Sequence, residues 1–326
     1  RCWLFTGLNV LRSKVINRMG LQELEFSQVY CFFYDQLEKS NLFLQAVIDT
    51  KDKSFDDKTV EWLFRNPLSD GGTFTGVANL VMKYGVVPSE IMPESYVANS
   101  TAAVTTQLKT LLRQDGLKLR EELAGVPAKK VGEKLLSMKV DMLKEIYHIL
   151  ALSFGVPPTE FEWTRRDSKG NVVSTKTYTP KSFYDEYVGK DMNNGYIMVM
   201  NDPCREYGKV YEIDYDRHVY DGQNWKYINL PMERIKEMAI ASIKANKAMY
   251  FSCDVGKYLL RKKGVCDLRN FDYESILGVD FTMDKKERIL THASGSSHAM
   301  TLIAVDIKDG RTGKWMVENS WGDTGY

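Results

Sequence analysis

No run of 18 or more apolar residues occurs in the chain, so no segment has the length and apolarity to span a bilayer as a helix. Neither sign of charge dominates. Lys and Arg number 44 against 43 Asp and Glu, a net +1, so no overall field marks the chain for nucleic acid or an anionic membrane. Cysteine is sparse, and without a C-x-x-C pair neither a zinc site nor a thioredoxin-type redox pair has support; no metal and no cofactor is expected. Cys2, Cys31, Cys204, Cys253 and Cys266 are scattered and odd in number, which suits mostly buried free thiols in a reducing compartment, the cytoplasm. There is no internal repeat, no low-complexity segment and no charged-then-apolar leader. The chain opens on Arg1-Cys2-Trp3 and stops at Gly325-Tyr326, so both ends read as cut from something longer. What is present is ordinary globular material. The 326 residues are 44% hydrophobic, 12% aromatic and 27% charged, enough for a sizeable core in one large domain or two ordinary ones.

Helical signals come first. Leu4, Leu8, Leu11 and Val15, with Phe5, recur at the spacing of one apolar helix face. Ser27 is a good N-cap for a second helix carrying Val29, Phe32, Phe33 and Leu37. Turn chemistry at Asn66-Pro67 and Ser69-Asp70-Gly71-Gly72 interrupts, and a short helix over 75–83 ends at Gly85. Residues 101–152 read as a helical block divided by Gly125-Val126-Pro127, with Lys129-Lys130 as a solvated face. Strand signals follow. Phe161–Thr164 and Val172–Thr175 flank Gly170-Asn171 as a hairpin, and Tyr196–Met200 is a short buried strand. Residues 232–246 read as helix. His298–Val305 and Lys314–Glu318 alternate as two strands joined by a turn at Asp309–Gly313. Helices first and strands last imply α+β, with a helical half and a sheet half.

Thiol attack on a carbonyl needs a base, a group to orient that base, and donors for the oxyanion. Cys2 opens the first helix, where exposed amides and the helix dipole favour negative charge. Alone this is weak evidence, because scattered cysteines are mostly packing residues. Four histidines restrict the choice of base. His148 sits in a helical pattern, His218 in the charged stretch Tyr215-Asp216-Arg217-His218 that reads as surface, and His292 in a polar loop. His298 begins an apolar strand, from whose rigid edge an imidazole can be aimed into a cleft. Asn319 ends the adjacent strand, so antiparallel pairing would bring it to His298 and fix the ring tautomer, with Trp321 covering the bond.

These residues carry a resemblance. Arg1-Cys2-Trp3, Ser297-His298-Ala299-Met300 and Asn319-Ser320-Trp321-Gly322 resemble the Cys, His and Asn motifs of papain-type cysteine peptidases, in the family's order. Ser69-Asp70-Gly71-Gly72 resembles the double-glycine loop whose backbone pairs with bound peptide, and Ser27-Gln28 with Cys31 the helix that follows the nucleophile. Papain-like chains place His roughly 130–150 residues after Cys; here the interval is 296 (298 − 2). That insertion, with Arg1–Phe5, Tyr84–Pro88 and Met92-Pro93-Glu94, is similar to the bleomycin hydrolase and aminopeptidase C group over essentially the whole chain. The resemblance implies a papain-like fold enlarged by a long helical insertion. Residues 1–100 would form the helical half, 101–230 the insertion, and 231–326 the β-rich half.

It further implies a cytoplasmic cysteine aminopeptidase acting on peptides and assembled as a homohexamer, with Cys2 as nucleophile, His298 as base, Asn319 as orienter, and Gly71 and Gly72 binding substrate. The family's oxyanion glutamine would fall ahead of Arg1 and its C-terminal arm beyond Tyr326. A segment of these residues alone is therefore expected to be nearly inactive and to accept blocked peptides. Two other classes compete. A non-catalytic assembly protein on the same fold should have lost one of Cys2, His298 or Asn319, and all three are present. A nucleic-acid role would rest on Arg261-Lys262-Lys263 and Lys285-Lys286, short runs of the kind that usually form solvated faces.

Overall fold

The computed structural model describes every residue except 128–131, 190–191, 193–194 and 322–326. Lys129-Lys130 and Gly322 therefore lie outside the described residues. The chain divides into two compact units, one of Arg1–Arg18, Asn193–Ile213 and Trp225–Tyr326, the other of Met19–Met192 and Asp214–Asn224.

The first unit opens with α1 (Cys2–Met19). Its first turn closes on the Arg1 carbonyl, which accepts from the Leu4 and Phe5 amides at 3.0 and 3.1 Å. Trp3, Leu4, Leu8, Leu11 and Val15 are all buried, as their spacing requires, but so are Thr6, Gly7, Asn9 and Val10. The helix is sunk on nearly every side rather than along one stripe.

The second unit is mainly helical, with α2 (Gln28–Asp49), α3 (Lys58–Arg65), α4 (Phe74–Tyr84), α5 (Ala102–Leu123) and α6 (Gly132–Phe154). Ser27 caps α2 as its sequence predicts, accepting from the Tyr30 amide at 3.1 Å while donating to the Met92 carbonyl at 2.5 Å. α2 packs against α5 and α6 and buries Phe32, Phe33, Leu44 and Val47 completely. The hairpin of β1 (Phe161–Arg166) and β2 (Val172–Tyr178) leads into α7 (Pro180–Tyr187), and Trp163, Tyr178, Phe183 and Tyr187 pack edge to face around it. Gly85 ends α4 with φ +78°, and a Cβ there would meet the Pro180 carbonyl oxygen at 2.2 Å. Only glycine permits the approach that lets the Val86 amide bond that carbonyl.

The first unit resumes with a sheet in the order β3-β5-β4, formed by β3 (Val199–Met200), β4 (Val210–Glu212) and β5 (Lys226–Asn229). The strand read over 196–200 is thus only two residues long. It is followed by α8 (Met232–Lys244), β6 (Met249–Cys253), the small hairpin of β7 (Leu259–Leu260) and β8 (Val265–Cys266), and the short helices α9 (Tyr273–Leu277) and α10 (Lys285–Leu290). The chain then enters β9 (His298–Lys308) and β10 (Arg311–Glu318). The antiparallel sheet has the order β10-β9-β6.

The turn expected at 309–313 is tighter than that. Asp309 and Gly310, with φ 51° and 73°, make a two-residue left-handed turn, and Arg311, Thr312 and Gly313 already belong to β10. The β9–β10 ladder slips twice. Gly313 is an extra residue on β10, and Ile303 is an extra residue on β9 between the Met316–Ala304 and Val317–Leu302 pairs. The slips are opposite, so the register at Glu318–Thr301 is the one set at the turn.

Two further expectations need correction. His218 is not a surface residue but is 3% exposed. Of the thiols, Cys31 alone is buried; Cys2, Cys204 and Cys253 are partly exposed and Cys266 is exposed. Among the described residues no helix is long and apolar enough to cross a membrane.

Candidate active site

The strand start that sequence assigns to His298 is where β9 begins, and Asn319 directly follows β10. Strand pairing brings the two together, with His298 Nε2 and Asn319 Oδ1 at 2.8 Å. The Ser320 amide donates to the same oxygen at 2.8 Å. That second bond settles the chemistry. A backbone N–H can only donate, so the Asn319 atom it meets must be the carbonyl oxygen, and an amide oxygen can only accept. His298 Nε2 therefore carries a proton, and in the neutral ring Nδ1 is left with the lone pair.

Trp321 stacks on the His298 ring at 4.9 Å between centroids and 23° between planes, as its expected covering role requires. Arg261, at the tip of the β7–β8 hairpin, lies over the Trp321 ring at 4.9 Å. β10 is tied to α1 at the same end, through Arg12 Nη2 and Glu318 Oε1 at 3.3 Å.

Cys2 is the first residue of α1 and partly exposed. Its amide lies in the first turn, where N–H groups have no intrahelical acceptor, and no acidic residue occupies that turn. Tyr250, paired with Thr301 across β6 and β9, has its phenol pushed up, by burial first and then by the neighbouring Cys2 thiol. The same sheet that carries His298 thus also carries Cys2's neighbour. The other thiols differ in setting. Burial, then Asp35, pushes Cys31 up to about 12, and burial, then Cys266 and Asp254, pushes Cys253 up to about 11.

Gly71 and Gly72 belong to the second unit, in the loop between α3 and α4. That loop is fastened from α2. Lys39 Nζ donates to the carbonyls of Ser69 at 3.0 Å and Gly71 at 2.7 Å, and to Asp35 Oδ2 at 3.0 Å. Asp35 is 0% exposed and also meets His218 Nδ1 at 2.6 Å. Burial pushes its carboxyl up, but the charges and bonds of Lys39 and His218 outweigh this and hold it below the usual range. Burial, then the Lys39 charge, pushes the His218 imidazole below its usual value, against the opposite pull of Asp35. His218 and Asp35 resemble an acid–base pair, yet Gly76 closes the far side of the ring: a Cβ there would lie 2.5 Å from Nε2. No substrate atom fits at that nitrogen, and the pair is structural.

Sequence reading missed Tyr250, Arg261, Lys39 and Asp35. The first three lie in runs that mark a strand, a solvated face and a helix, and nothing local singles them out. Asp35 on a helix that buries Phe32 and Phe33 was the one available signal, since an unpaired buried carboxylate is not tolerated.

Among the described residues no cluster of His, Cys, Asp or Glu has the makings of a metal site. A thiol at a helix start, and in the same unit an imidazole whose tautomer is fixed by an amide oxygen, are groups of the kind that thiol-dependent acyl transfer uses. Residues 1–325 match the Peptidase C1-like family. Aminopeptidase C of Streptococcus thermophilus is 39% identical over 327 residues, covering 99% of this chain and 72% of that protein. Bleomycin hydrolase of Mus musculus is 38% identical over 332 residues, again 99% and 72%. The crystal structure of PepW from Lactobacillus rhamnosis HN001 superposes with a TM-score of 0.94 at 35% identity, covering 99% of this chain and 72% of that one. The chain belongs to the Peptidase C1-like family and has its mixed helix-and-strand, papain-like fold.

Proposed function

We propose that Cys2 is the nucleophile, His298 the base and then the acid, and Asn319 the group that orients it, in a cysteine aminopeptidase that removes N-terminal residues from peptides. The observation that carries this reading is the 2.8 Å bond between His298 and Asn319 in the unit that begins with Cys2. With its Nε2 proton committed to Asn319, His298 works through Nδ1. The Cys2 sulfur attacks the scissile carbonyl carbon as its proton passes to Nδ1, and the carbonyl π pair moves to oxygen, where the Cys2 amide donates. Collapse breaks the C–N bond, and Nδ1 returns the proton to the departing amine. Nδ1 then takes a proton from water, hydroxide attacks the thioester, the C–S bond breaks as the departing Cys2 sulfur takes the proton back from Nδ1, and the N-terminal residue leaves as an acid that ionises to its carboxylate.

Main-chain groups of Gly71 and Gly72 pair with the substrate backbone, in a loop that Lys39 keeps fixed. The interval of 296 residues between Cys2 and His298 supports a division into a helical half (1–100), an insertion (101–230) and a β-rich half (231–326). A homo-oligomer, a hexamer by family resemblance, and a cytoplasmic location complete the reading; the five free thiols agree with a reducing compartment.

On the full natural chain, the test compares aminoacyl fluorogenic amides with their N-acetylated forms, before and after thiol alkylation. The free-amine substrates should be hydrolysed, the acetylated ones hardly, and alkylation should stop both. Equal rates on blocked substrates would refute aminopeptidase selectivity, and activity surviving alkylation would refute the thiol mechanism.

A further inference from the structure

Arg261 belongs to a basic run that the proposed mechanism does not use, yet it rests on the indole that stacks on His298. β7 and β8 pair through Leu259–Cys266 and Leu260–Val265, and Arg261–Lys263 form a single helical turn at the tip. Gly264, with φ 61° and ψ 27°, closes that turn by donating its amide to the Arg261 carbonyl at 3.1 Å. Asn270 pins the hairpin from beside it, donating to the carbonyls of Tyr258 at 2.8 Å and Val265 at 2.7 Å. The guanidinium is thus presented from a tight turn onto one face of Trp321, at 4.9 Å, while His298 lies against the indole at 4.9 Å. It is exposed, and among the described residues no carboxylate pairs with it.

His298 hands its proton to the departing amine, so the leaving group must lie on the imidazole side of the scissile bond. The indole that covers the imidazole, and the cation resting on that indole, therefore border the leaving group. An unneutralised guanidinium there attracts negative charge, and its planar fork suits a carboxylate. From this we infer that Arg261 is a specificity-determining residue for the leaving-group side, favouring substrates whose departing part carries a carboxylate, as the free C-terminus of a dipeptide does. This rests on the mechanism proposed above.

The experiment measures kcat/KM for an aminoacyl-glycine with a free carboxylate and for the same compound as its C-terminal amide. The full natural chain is compared with its Arg261→Gln and Arg261→Lys variants. The acid should be preferred by about three- to tenfold in the wild type, the range of a partly exposed charge-assisted pair. Arg261→Gln should bring the ratio to about one, Arg261→Lys should restore part of it, and added salt should erode it by screening. The ratio is the readout because any loosening of Trp321 slows both substrates alike. A wild-type ratio of one or below, or a ratio unchanged in Arg261→Gln, overturns the inference while leaving the peptidase reading intact. Absence of any thiol-dependent hydrolysis by the wild type would overturn both.

Discussion

Replacing Asn319 by alanine removes the acceptor that holds the His298 Nε2 proton, at 2.8 Å, and leaves the rest of the sheet end in place. The bond is worth most when the imidazole is charged, as it is in the proposed mechanism each time the ring takes a proton from the thiol or from water. A hydrogen bond to a charged group contributes about 1.5–3 kcal/mol. At about 1.36 kcal/mol per tenfold in rate, kcat should fall roughly 10- to 150-fold. The loss is bounded because Trp321 still stacks on the ring at 4.9 Å and keeps it near its working orientation. KM should change little, since Asn319 bonds the ring and not the peptide. Both residues restrain one imidazole, so Asn319→Ala with Trp321→Ala should cost more than the product of the single effects. Steady-state hydrolysis of an aminoacyl fluorogenic amide near neutral pH gives the constants, and thermal melts followed by circular dichroism confirm that each variant is folded. A folded Asn319→Ala protein with wild-type kcat would refute the orienting role. So would one as inactive as a Cys2 variant, because the ring would then be useless without the amide.

Cys2→Ala and Cys2→Ser should both abolish turnover while melting like the wild type; measurable activity in Cys2→Ala would exclude it as the nucleophile. Peptide mapping after brief iodoacetamide treatment should find Cys2 modified first and the exposed Cys266 next, and early modification of buried Cys31 would contradict the structure. His298→Ala should lose several orders of magnitude in kcat and His292→Ala little, because His292 sits in an exposed left-handed turn; the reverse result would reassign the base. Asp115, buried on α5, is pushed up to about 6 by burial first and then by Glu145, from 3.8 in the unfolded chain. Its folded form holds the proton more tightly, so this stabilisation is complete below 3.8 and lost as pH rises through about 6. Asp115→Asn should therefore raise the melting temperature at neutral pH and not below about pH 4, and a gap independent of pH would show that burial of the charge is not the cause.

The site's strand geometry was legible because alternation and a turn signal are local. His298 at a strand start and Asn319 one residue past the next strand's end follow from counting residues between them. His218 was not legible. Its neighbours Asp216 and Arg217 mark a surface segment, while the partner that makes burial possible, Asp35, is 183 positions away in sequence. The thiols were misjudged for a related reason, since exposure of Cys266 depends on the hairpin edge it occupies and not on its neighbours in the chain. The turn after β9 was read too long because Gly313 has turn composition, whereas in the fold it is the extra residue of a bulge.

That bulge and its opposite at Ile303 make the β9–β10 hairpin a counting device. A residue added at the Asp309-Gly310 turn merely lengthens a loop and leaves the ladder beyond it unchanged. A residue added within Lys314–Met316 would leave one slip uncancelled, and everything from Val317 onward would change faces, carrying Asn319 away from His298. A matching residue added to the facing part of β9 would undo the damage. Lineages that drift in length here should therefore gain or lose residues on both strands together, so that the hairpin's history is one of paired indels around a fixed end.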